Sequence, residues 1–265
     1  MAIFFIFLII FLIMLALPIA LSLGIIGLFS YVTAGDSLIN FHSQMTDGLV
    51  SFVILAIPLF ILTGEVLGSG AVAARMIAFA SSIVGWASGG LAHANVVTAM
   101  MFANVSGSAV ADAAAVGSIL IPEMEKRGYA KDFAVVVTSY AASIGILIPP
   151  SIGMILYSVV SDVSIARLFL AGYIPGVGYG LCLMAVAYYV AKKRAYPTHE
   201  PFSFGNVVRR FNQTWIALLI PATIIFGIVG GAFTPTEAAA ITTALALVAA
   251  LFVYRGMRFR DLMPR

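Results

Sequence analysis

The stretch that decides the fold is Asn104-Val105-Ser106-Gly107-Ser108-Ala109-Val110-Ala111-Asp112, which lies inside an apolar region from Gly89 to Ser151. Apolar arms of about 18 and about 14 residues flank the serines, and at ~1.5 Å rise per residue they would form helices of roughly 27 and 21 Å. A hydrocarbon core is ~30 Å thick, so the second arm is too short to cross it alone. The stretch therefore predicts a re-entrant hairpin, with its tip near the middle of a membrane.

A second interruption follows at Gly145-Ile146-Leu147-Ile148-Pro149-Pro150-Ser151, within the uncharged run from Phe133 to Ser161. Pro149 and Pro150 have no backbone donors and clash with the preceding turn, so nearby carbonyl groups lose their helical partners. Freed backbone groups are tolerated at membrane depth only where protein covers them or where they line a cavity. A hairpin tip beside a broken helix is the arrangement that binds ions and anionic substrates near the bilayer midplane.

The composition places the chain in a membrane. Of 265 residues, 62% are hydrophobic and only 9% are charged, whereas soluble domains carry ~25% charged residues. The fold class is therefore an all-α polytopic membrane protein. The formal charge of +3 comes from a few loop residues, without the basic stripe and interleaved aromatics of a nucleic-acid partner. The single Cys182 excludes a disulfide framework and a multi-cysteine metal site.

Hydropathy predicts about six or seven transmembrane helices, with a re-entrant helical hairpin and one Pro-broken helix. Residues 2–33 are too long for one upright span, and Pro18 favours two short ones. Residues 34–50 are expected to be a polar loop, and residues 70–85 an amphipathic arm at the interface. The remaining predicted elements are a span at 51–68, the hairpin at 89–122, a polar loop at 123–129, the broken helix at 133–161, a span at 165–190, a linker reaching residue 210, and spans at 215–231 and 236–254.

The basic residues give the orientation. Counting crossings puts all the clusters on one face, which the positive-inside rule makes cytoplasmic, so the hairpin opens to the cytoplasm. The clusters are Lys126/Arg127/Lys131, Lys192 to Arg194, Arg209/Arg210 and Arg255/Arg258/Arg260.

A faint internal repeat suggests that the chain is incomplete. Leu17-Pro18 after an apolar run resembles Thr234-Pro235 after another, and transporters built from inverted repeats need both copies. The chain is thus expected to be a fragment or one half of a split protein. The predicted division is scaffold helices and the arm at 1–88, hairpin and broken helix at 89–162, a span and cytoplasmic linker at 163–210, and an incomplete second repeat at 211–265.

Several motifs together resemble the large membrane subunit of tripartite ATP-independent periplasmic (TRAP) transporters, and the likeness covers nearly the whole chain. The motifs are Leu55–Phe60, Val105–Asp112, Ile121–Met124 with Arg127–Tyr129, Ser143–Gly145, Ile148–Ser151, Leu168–Gly172 with Pro175–Gly176, and Phe233–Ala239. Each is weak alone, but all of them in order are specific.

This resemblance implies the first half of an inverted-repeat elevator transporter. It implies a sodium-coupled importer of organic acids (C4-dicarboxylates or sialic-acid-like compounds) in the bacterial cytoplasmic membrane. The expected partners are a small four-span membrane subunit, a periplasmic substrate-binding protein and membrane lipid, with sodium as the coupling ion and no organic cofactor. The family's second hairpin and second broken helix have no counterpart here, so the chain should not transport alone.

The candidate ligands follow from the two interruptions. Sodium takes five or six neutral oxygens, which hydroxyl and carbonyl groups provide. The predicted sodium ligands are Ser106, Gly107, Ser108, Gly145, Ile148 and Ser151, and the predicted substrate-binding residues are Asn104, Ser106, Ser108, Pro150 and Ser151. The alternative is that small residues only allow two helices to approach closely.

Three other predictions concern single side chains. Asp112 is expected to support the serine loop through hydrogen bonds to backbone N–H groups, with a place beside the sodium as the alternative. His93 is expected to be a hydrogen-bonded interfacial histidine rather than a proton relay. An aromatic belt is predicted from Trp86, Tyr129, Tyr173, Tyr188, Tyr189 and Trp215.

Two other functional classes were weighed. An intramembrane enzyme needs a Ser/His, paired-Asp or His/Glu constellation, and the dispersed histidines and isolated Asp112 do not provide one. The chain is therefore not expected to be an enzyme. A channel-like pore, or a scaffold subunit that is inactive because it is truncated, stays open as the alternative.

Overall fold

The computed structural model describes residues 2–49, 52–68, 70–199, 201–254 and 256–257. Every regular element in these ranges is helical, which confirms the all-α prediction. The chain divides into two compact units, Met1–Ser51 and Phe52–Arg265. Arg255, Arg258 and Arg260 of the predicted basic tail lie outside the described residues.

The first unit contains three helices, α1 (Ala2–Met14), α2 (Ile19–Ala34) and α3 (Leu38–Leu49). Pro18 stands immediately before α2, so this region forms two short helices in place of one long one. That the two cross the membrane as separate spans stays a prediction. The polar loop predicted for residues 34–50 is wrong because most of it forms α3. Ser37 starts that helix by accepting a hydrogen bond from the Ile39 N–H at 3.3 Å.

Packing explains why α3 is helical in spite of its polar composition. The ring of Phe41 lies 5.3 Å from that of Tyr31 on α2, and a Cβ on Gly27 would lie 3.3 Å from the Phe41 ring. The apolar residues of this segment thus follow a helical period along one face, although the segment as a whole is polar.

The second unit contains nine helices among the described residues. They are α4 (Ala56–Gly68), α5 (Gly70–Val84), α6 (Gly90–Ser106), α7 (Ala109–Lys126), α8 (Lys131–Ala142), α9 (Ile152–Ser161), α10 (Ile165–Lys193), α11 (Phe204–Ile224) and α12 (Pro235–Val248). The last two continue as single π-helical turns, Ile225–Val229 and Ala249–Val253.

Three described helical segments are long and apolar enough to cross a membrane: Ile165–Lys193, Phe204–Val229 and Pro235–Val253. A fourth span results if α4 and α5, which are bent by 75° from each other, count as one broken span or re-entrant loop. The hairpin arms α6 and α7 have 17 and 18 residues, or roughly 26 and 27 Å each. Arms of this length fit a hairpin better than two upright spans.

Two predicted boundaries are wrong. Helix α7 runs through Pro122 to Lys126, where a polar loop was expected, and the pair of Arg127 with Glu123 at 3.2 Å supports its end. Helix α11 begins at Phe204, so the connection after α10 is much shorter than the predicted linker to residue 210. In both cases the sequence pattern places charged residues in a loop, whereas the structure places them in a helix.

The core of this unit lies around α6, which is buried along nearly its whole length. It packs against α4, α5, α7, α8 and α10. Helix α12 packs on α4, where the hydroxyl groups of Thr63 and Thr243 lie 2.8 Å apart. Thr234 and Glu237 form a capping box at the start of α12, so Glu237 has a structural role at this helix end.

The crossing of α4 and α6 depends on one glycine. A Cβ on Gly64 would lie 2.8 Å from both the Cα and the Cβ of Ser106. We expect Gly64→Ala to lower the free energy of unfolding by roughly 1–3 kcal/mol, as overpacking of a close helix contact does. Gly178→Ala is the matched control, because a Cβ there meets nothing within 4 Å. Equal melting temperatures of the two variants would contradict this account.

Candidate functional site

The hairpin turns through two residues. Gly107 ends α6 in the left-handed region, with φ 58°, which glycine adopts without steric cost. Ser108 caps α7, and its hydroxyl accepts a hydrogen bond from the Ala111 N–H at 3.4 Å. The predicted tip is therefore a tight turn between the end of one helix and the start of the next.

The broken helix has the predicted interruption. Helix α8 ends at Ala142, a 3-10 turn covers Ser143–Ile146, and α9 starts at Ile152. Pro149 and Pro150, joined by a cis peptide bond, cannot donate to the carbonyl groups of Gly145 and Ile146 four residues earlier. These carbonyl groups are left without their helical donors.

The hairpin tip at Gly107 and Ser108 lies against the break between α8 and α9, which covers residues 143–151. A Cβ on Gly107 would overlap the carbonyl oxygen of Pro150 and lie 3.2 Å from the Ile152 nitrogen. On the other side of the turn, a Cβ on Gly145 would lie 3.4 Å from the Ala109 nitrogen. The first residues of α7 and of α9 thus meet the opposing backbone at glycines.

Asp112 lies directly behind the tip. It is 1% exposed, and its Oδ1 accepts a hydrogen bond from the Ser106 hydroxyl at 2.5 Å. The Ser106 oxygen in turn accepts from the Ser108 N–H at 3.2 Å. Asp112 therefore supports the loop through a side-chain hydroxyl, whereas direct hydrogen bonds to backbone N–H groups had been expected. Its Oδ2 is buried, makes no hydrogen bond within the described part of the chain, and faces Gly145, where a Cβ would lie 2.6 Å away.

The other predicted ligands are near but differ in what they present. Ile148 is buried and its side chain contacts Gly176 of α10, so only its backbone oxygen could serve a ligand. Ser151 is buried at the N-terminal end of α9, and its side chain makes no capping hydrogen bond there. Asn104 already uses both ends of its amide: Nδ2 donates to the Met100 carbonyl at 2.7 Å and Oδ1 accepts from Tyr173 at 2.8 Å.

Comparison with known proteins identifies the family. Residues 5–265 match the family model described as "Tripartite ATP-independent periplasmic transporter, DctM component". The chain belongs to this family. It is 39% identical over 242 residues to the "Sialic acid TRAP transporter large permease protein SiaM" of Vibrio cholerae, covering 91% of this chain and 57% of the relative.

Two further relatives have similar scores. The "C4-dicarboxylate TRAP transporter large permease protein DctM" of Vibrio cholerae is 41% identical over 242 residues, which is 91% of this chain and 53% of the relative. The "Uncharacterized protein YgiK" of Salmonella typhimurium is 42% identical over 253 residues, with 93% and 58% covered. This TRAP permease chain thus spans about half the length of the relatives it matches.

Tyr173 contacts both the hairpin and the broken helix, a role in the site that the sequence analysis does not predict. Its hydroxyl lies 2.8 Å from Asn104 Oδ1 and 3.4 Å from the Pro149 carbonyl oxygen, so one proton is shared between tip and break. It lies within α10 and is partly buried, and its place in the aromatic belt stays a prediction. Gly172 and Gly176 on the same helix allow this approach by contacting Leu147 and Ile148. That four-residue spacing of small residues was the available signal.

A second buried pair was also missed by the sequence reasoning. Asn95 on α6 donates from Nδ2 to the Thr138 hydroxyl of α8 at 2.7 Å. Thr138 itself donates to the Ala134 carbonyl at 2.8 Å. This pair fixes α6 to α8 below the site. His93, near the start of α6, lies 3.2 Å from the Ser88 carbonyl oxygen, as expected for a hydrogen-bonded histidine.

The contact between tip and break can be tested at Gly107. We expect Gly107→Ala to destabilise the permease by more than Gly128→Ala does. Both positions have positive φ, which costs an L-residue roughly 1–2 kcal/mol, but only at Gly107 does the new methyl group meet backbone. Thermal unfolding of the two variants measures the difference, and equal losses would show that the Pro150 carbonyl is not in contact.

The shared hydroxyl can be tested by Tyr173→Phe. Removing it leaves Asn104 Oδ1 and the Pro149 carbonyl without this donor, which typically costs about 1–3 kcal/mol. Tyr189→Phe is the matched control, because that side chain lies on the same helix and is 69% exposed. A melting temperature lowered equally by both changes would contradict the bridge between tip and break.

Proposed function

We propose that the chain is part of the permease subunit of a sodium-coupled secondary importer of organic acids. The observation that carries this proposal is the contact of the hairpin tip at Gly107 with the broken helix at Pro150. It puts helix ends and freed carbonyl groups at one point inside a packed membrane protein. Such discontinuities are how secondary transporters bind ions and substrates away from water.

Neutral oxygens around the tip support sodium as the coupling ion. Ser106 donates its proton to Asp112, so the serine oxygen keeps a lone pair for a cation. The carbonyl groups of Gly145 and Ile146 have lost their helical donors at positions 149 and 150. In this proposal Ser106, Gly107, Ser108, Gly145, Ile148 and Ser151 surround the ion, and the free Oδ2 of Asp112 supplies nearby negative charge.

Helix starts support an anionic substrate. The first turns of α7 and α9 both lie at the tip, where a Cβ on Gly107 or Gly145 would approach their first N–H groups. The N-terminus of a helix carries partial positive charge and unpaired donors that bind carboxylates. No arginine occurs in residues 89–122 or 133–161, so the anion is held by these helix ends, the bound cation and groups outside this chain.

The names of the relatives suggest the substrate class. They include permeases named for sialic acid, C4-dicarboxylate and isethionate, all of which are organic anions. We infer a C4-dicarboxylate or a sialic-acid-like compound for this chain, with Asn104, Ser106, Ser108, Pro150 and Ser151 around it. Because Asn104 is already bonded to Tyr173, its part is to shape the pocket unless that bond opens.

The full transporter contains more than this chain. We infer an elevator mechanism in the bacterial inner membrane, in which residues 89–162 move against scaffold helices that include residues 1–88 and 211–265. A small four-span subunit and a periplasmic binding protein would complete the system. Since the chain covers about half of its relatives, transport is expected only from the full-length permease.

The proposal is tested by uptake into proteoliposomes that contain the full-length permease, its small subunit and its binding protein. We expect uptake to stop when sodium is replaced by potassium. Ser106→Ala should raise the sodium concentration for half-maximal uptake by about tenfold, which corresponds to ~1.4 kcal/mol. It removes one oxygen ligand and also the hydrogen bond to Asp112.

Ser139→Ala is the control for this experiment, because Ser139 is exposed and bonds only within α8 among the contacts of the described residues. Uptake that continues without sodium would overturn the coupling ion. An unchanged sodium requirement in Ser106→Ala would instead overturn the site while leaving sodium coupling intact.

A further inference from the structure

A cavity lies away from the hairpin tip, at the opposite end of the hairpin. It has a volume of about 530 Å³ and is lined by α5, the beginning of α6, the second half of α7, the connection after α10 and the beginning of α11. Predicted substrate and sodium ligands do not line it. It therefore needs an explanation of its own.

One side of this cavity is cationic. Lys126, Arg127 and Arg210 line it, together with the carboxylate of Glu123. Glu123 is paired with Arg127 at 3.2 Å, whereas Lys126 and Arg210 make no ion pair with the described residues. The Arg210 Nε is buried and makes no hydrogen bond with the residues that the structure describes. The described lining thus carries more positive than negative charge, and an anion in the cavity would balance it.

The other side of the cavity is apolar. Ile77 of α5, Leu91 of α6, and Ile119 and Leu120 of α7 form it. A free, hydrated anion would gain no binding energy from contact with these apolar side chains. A molecule with a negatively charged head and an apolar body fits both sides at once.

The position along the membrane normal agrees with this chemistry. The cavity lies where α7 ends, close to the start of α11 with Arg209 and Arg210. The positive-inside rule places these basic ends on the cytoplasmic side. Basic pockets between helices at this level bind phospholipid headgroups in the anionic cytoplasmic leaflet.

We propose that the cavity formed by α5, α7 and α11 binds the headgroup of an anionic phospholipid such as phosphatidylglycerol. The phosphodiester lies between Lys126 and Arg210, and the glycerol backbone rests against Ile77 and Ile119. The lipid joins the α5 arm to the hairpin arm α7 and to α11. The site is separate from the tip, so the proposal does not rest on the transported substrate or on sodium.

The test uses the full-length permease with its partner subunits, titrated with short-chain phosphatidylglycerol and followed by native mass spectrometry. We expect the double variant Lys126→Gln/Arg210→Gln to weaken binding by about tenfold or more, as expected for two cations beside an anionic headgroup. The matched control is Lys192→Gln/Lys193→Gln, which removes the same charge from the exposed end of α10. We expect less than a twofold change there.

A variant that keeps every charge tests whether the space of the cavity, and not only its charge, is needed for binding. Ser118 is exposed and lines the cavity, so Ser118→Phe should fill the space and also reduce phosphatidylglycerol binding. This variant decides the question even if the charge double variant does not fold. Equal losses in both double variants, or full binding by Ser118→Phe, would overturn the assignment of the cavity.

Competition identifies the source of the anion. We expect short-chain phosphatidylcholine, which has no net charge, and inorganic phosphate to leave the bound phosphatidylglycerol in place at equal concentration. Displacement by inorganic phosphate would overturn the lipid and indicate a site for free anions. Displacement by phosphatidylcholine would overturn the role of the headgroup charge.

Discussion

The constraint on which the rest of the structure depends is the absence of backbone donors at Pro149 and Pro150. Their positions leave the carbonyl groups of Gly145 and Ile146 without helical partners inside an apolar chain. Such groups cannot face lipid, so other protein must cover them. The hairpin α6–α7 packs its turn against the break, where Gly107 meets the Pro150 carbonyl and Gly145 meets Asp112.

Glycines at several helix crossings make this approach possible. Gly64 lets Ser106 pack closely against α4, and Gly145 lets Asp112 pack against the break. Gly172 and Gly176 let the break pack closely against α10. Lipid tails are as apolar as leucine side chains, so burial alone gives little reason for helices to associate in a membrane. Close backbone packing and a few buried hydrogen bonds then specify the arrangement. The same small residues that could be dismissed as packing positions are therefore what builds the candidate site.

The sequence could predict the features that depend on neighbouring residues. Prolines and glycines mark both interruptions, and apolar runs of limited length mark the hairpin arms, because backbone chemistry acts locally. It could not predict that Pro122 stays inside α7 or that residues 38–49 form a helix. The Glu123–Arg127 pair lies at the end of α7, and Phe41 of the other segment packs on α2. The hydrogen bonds Tyr173–Asn104 and Asn95–Thr138 join residues far apart in the chain. The residues next to each of these side chains do not indicate which distant residue it will bond.

Tyr173 shows how one polar group can respond to the geometry of the whole site. Its hydroxyl has a single proton and lies within reach of an acceptor on the hairpin, Asn104 Oδ1, and one on the break, the Pro149 carbonyl. Because hydrogen bonds weaken steeply with distance and angle, the bridge holds only while tip and break keep their present spacing. Behind the same tip, Ser106 ties the turn to Asp112. A ligand that enters between these groups must therefore either fit the existing spacing or compete for the oxygens that maintain it.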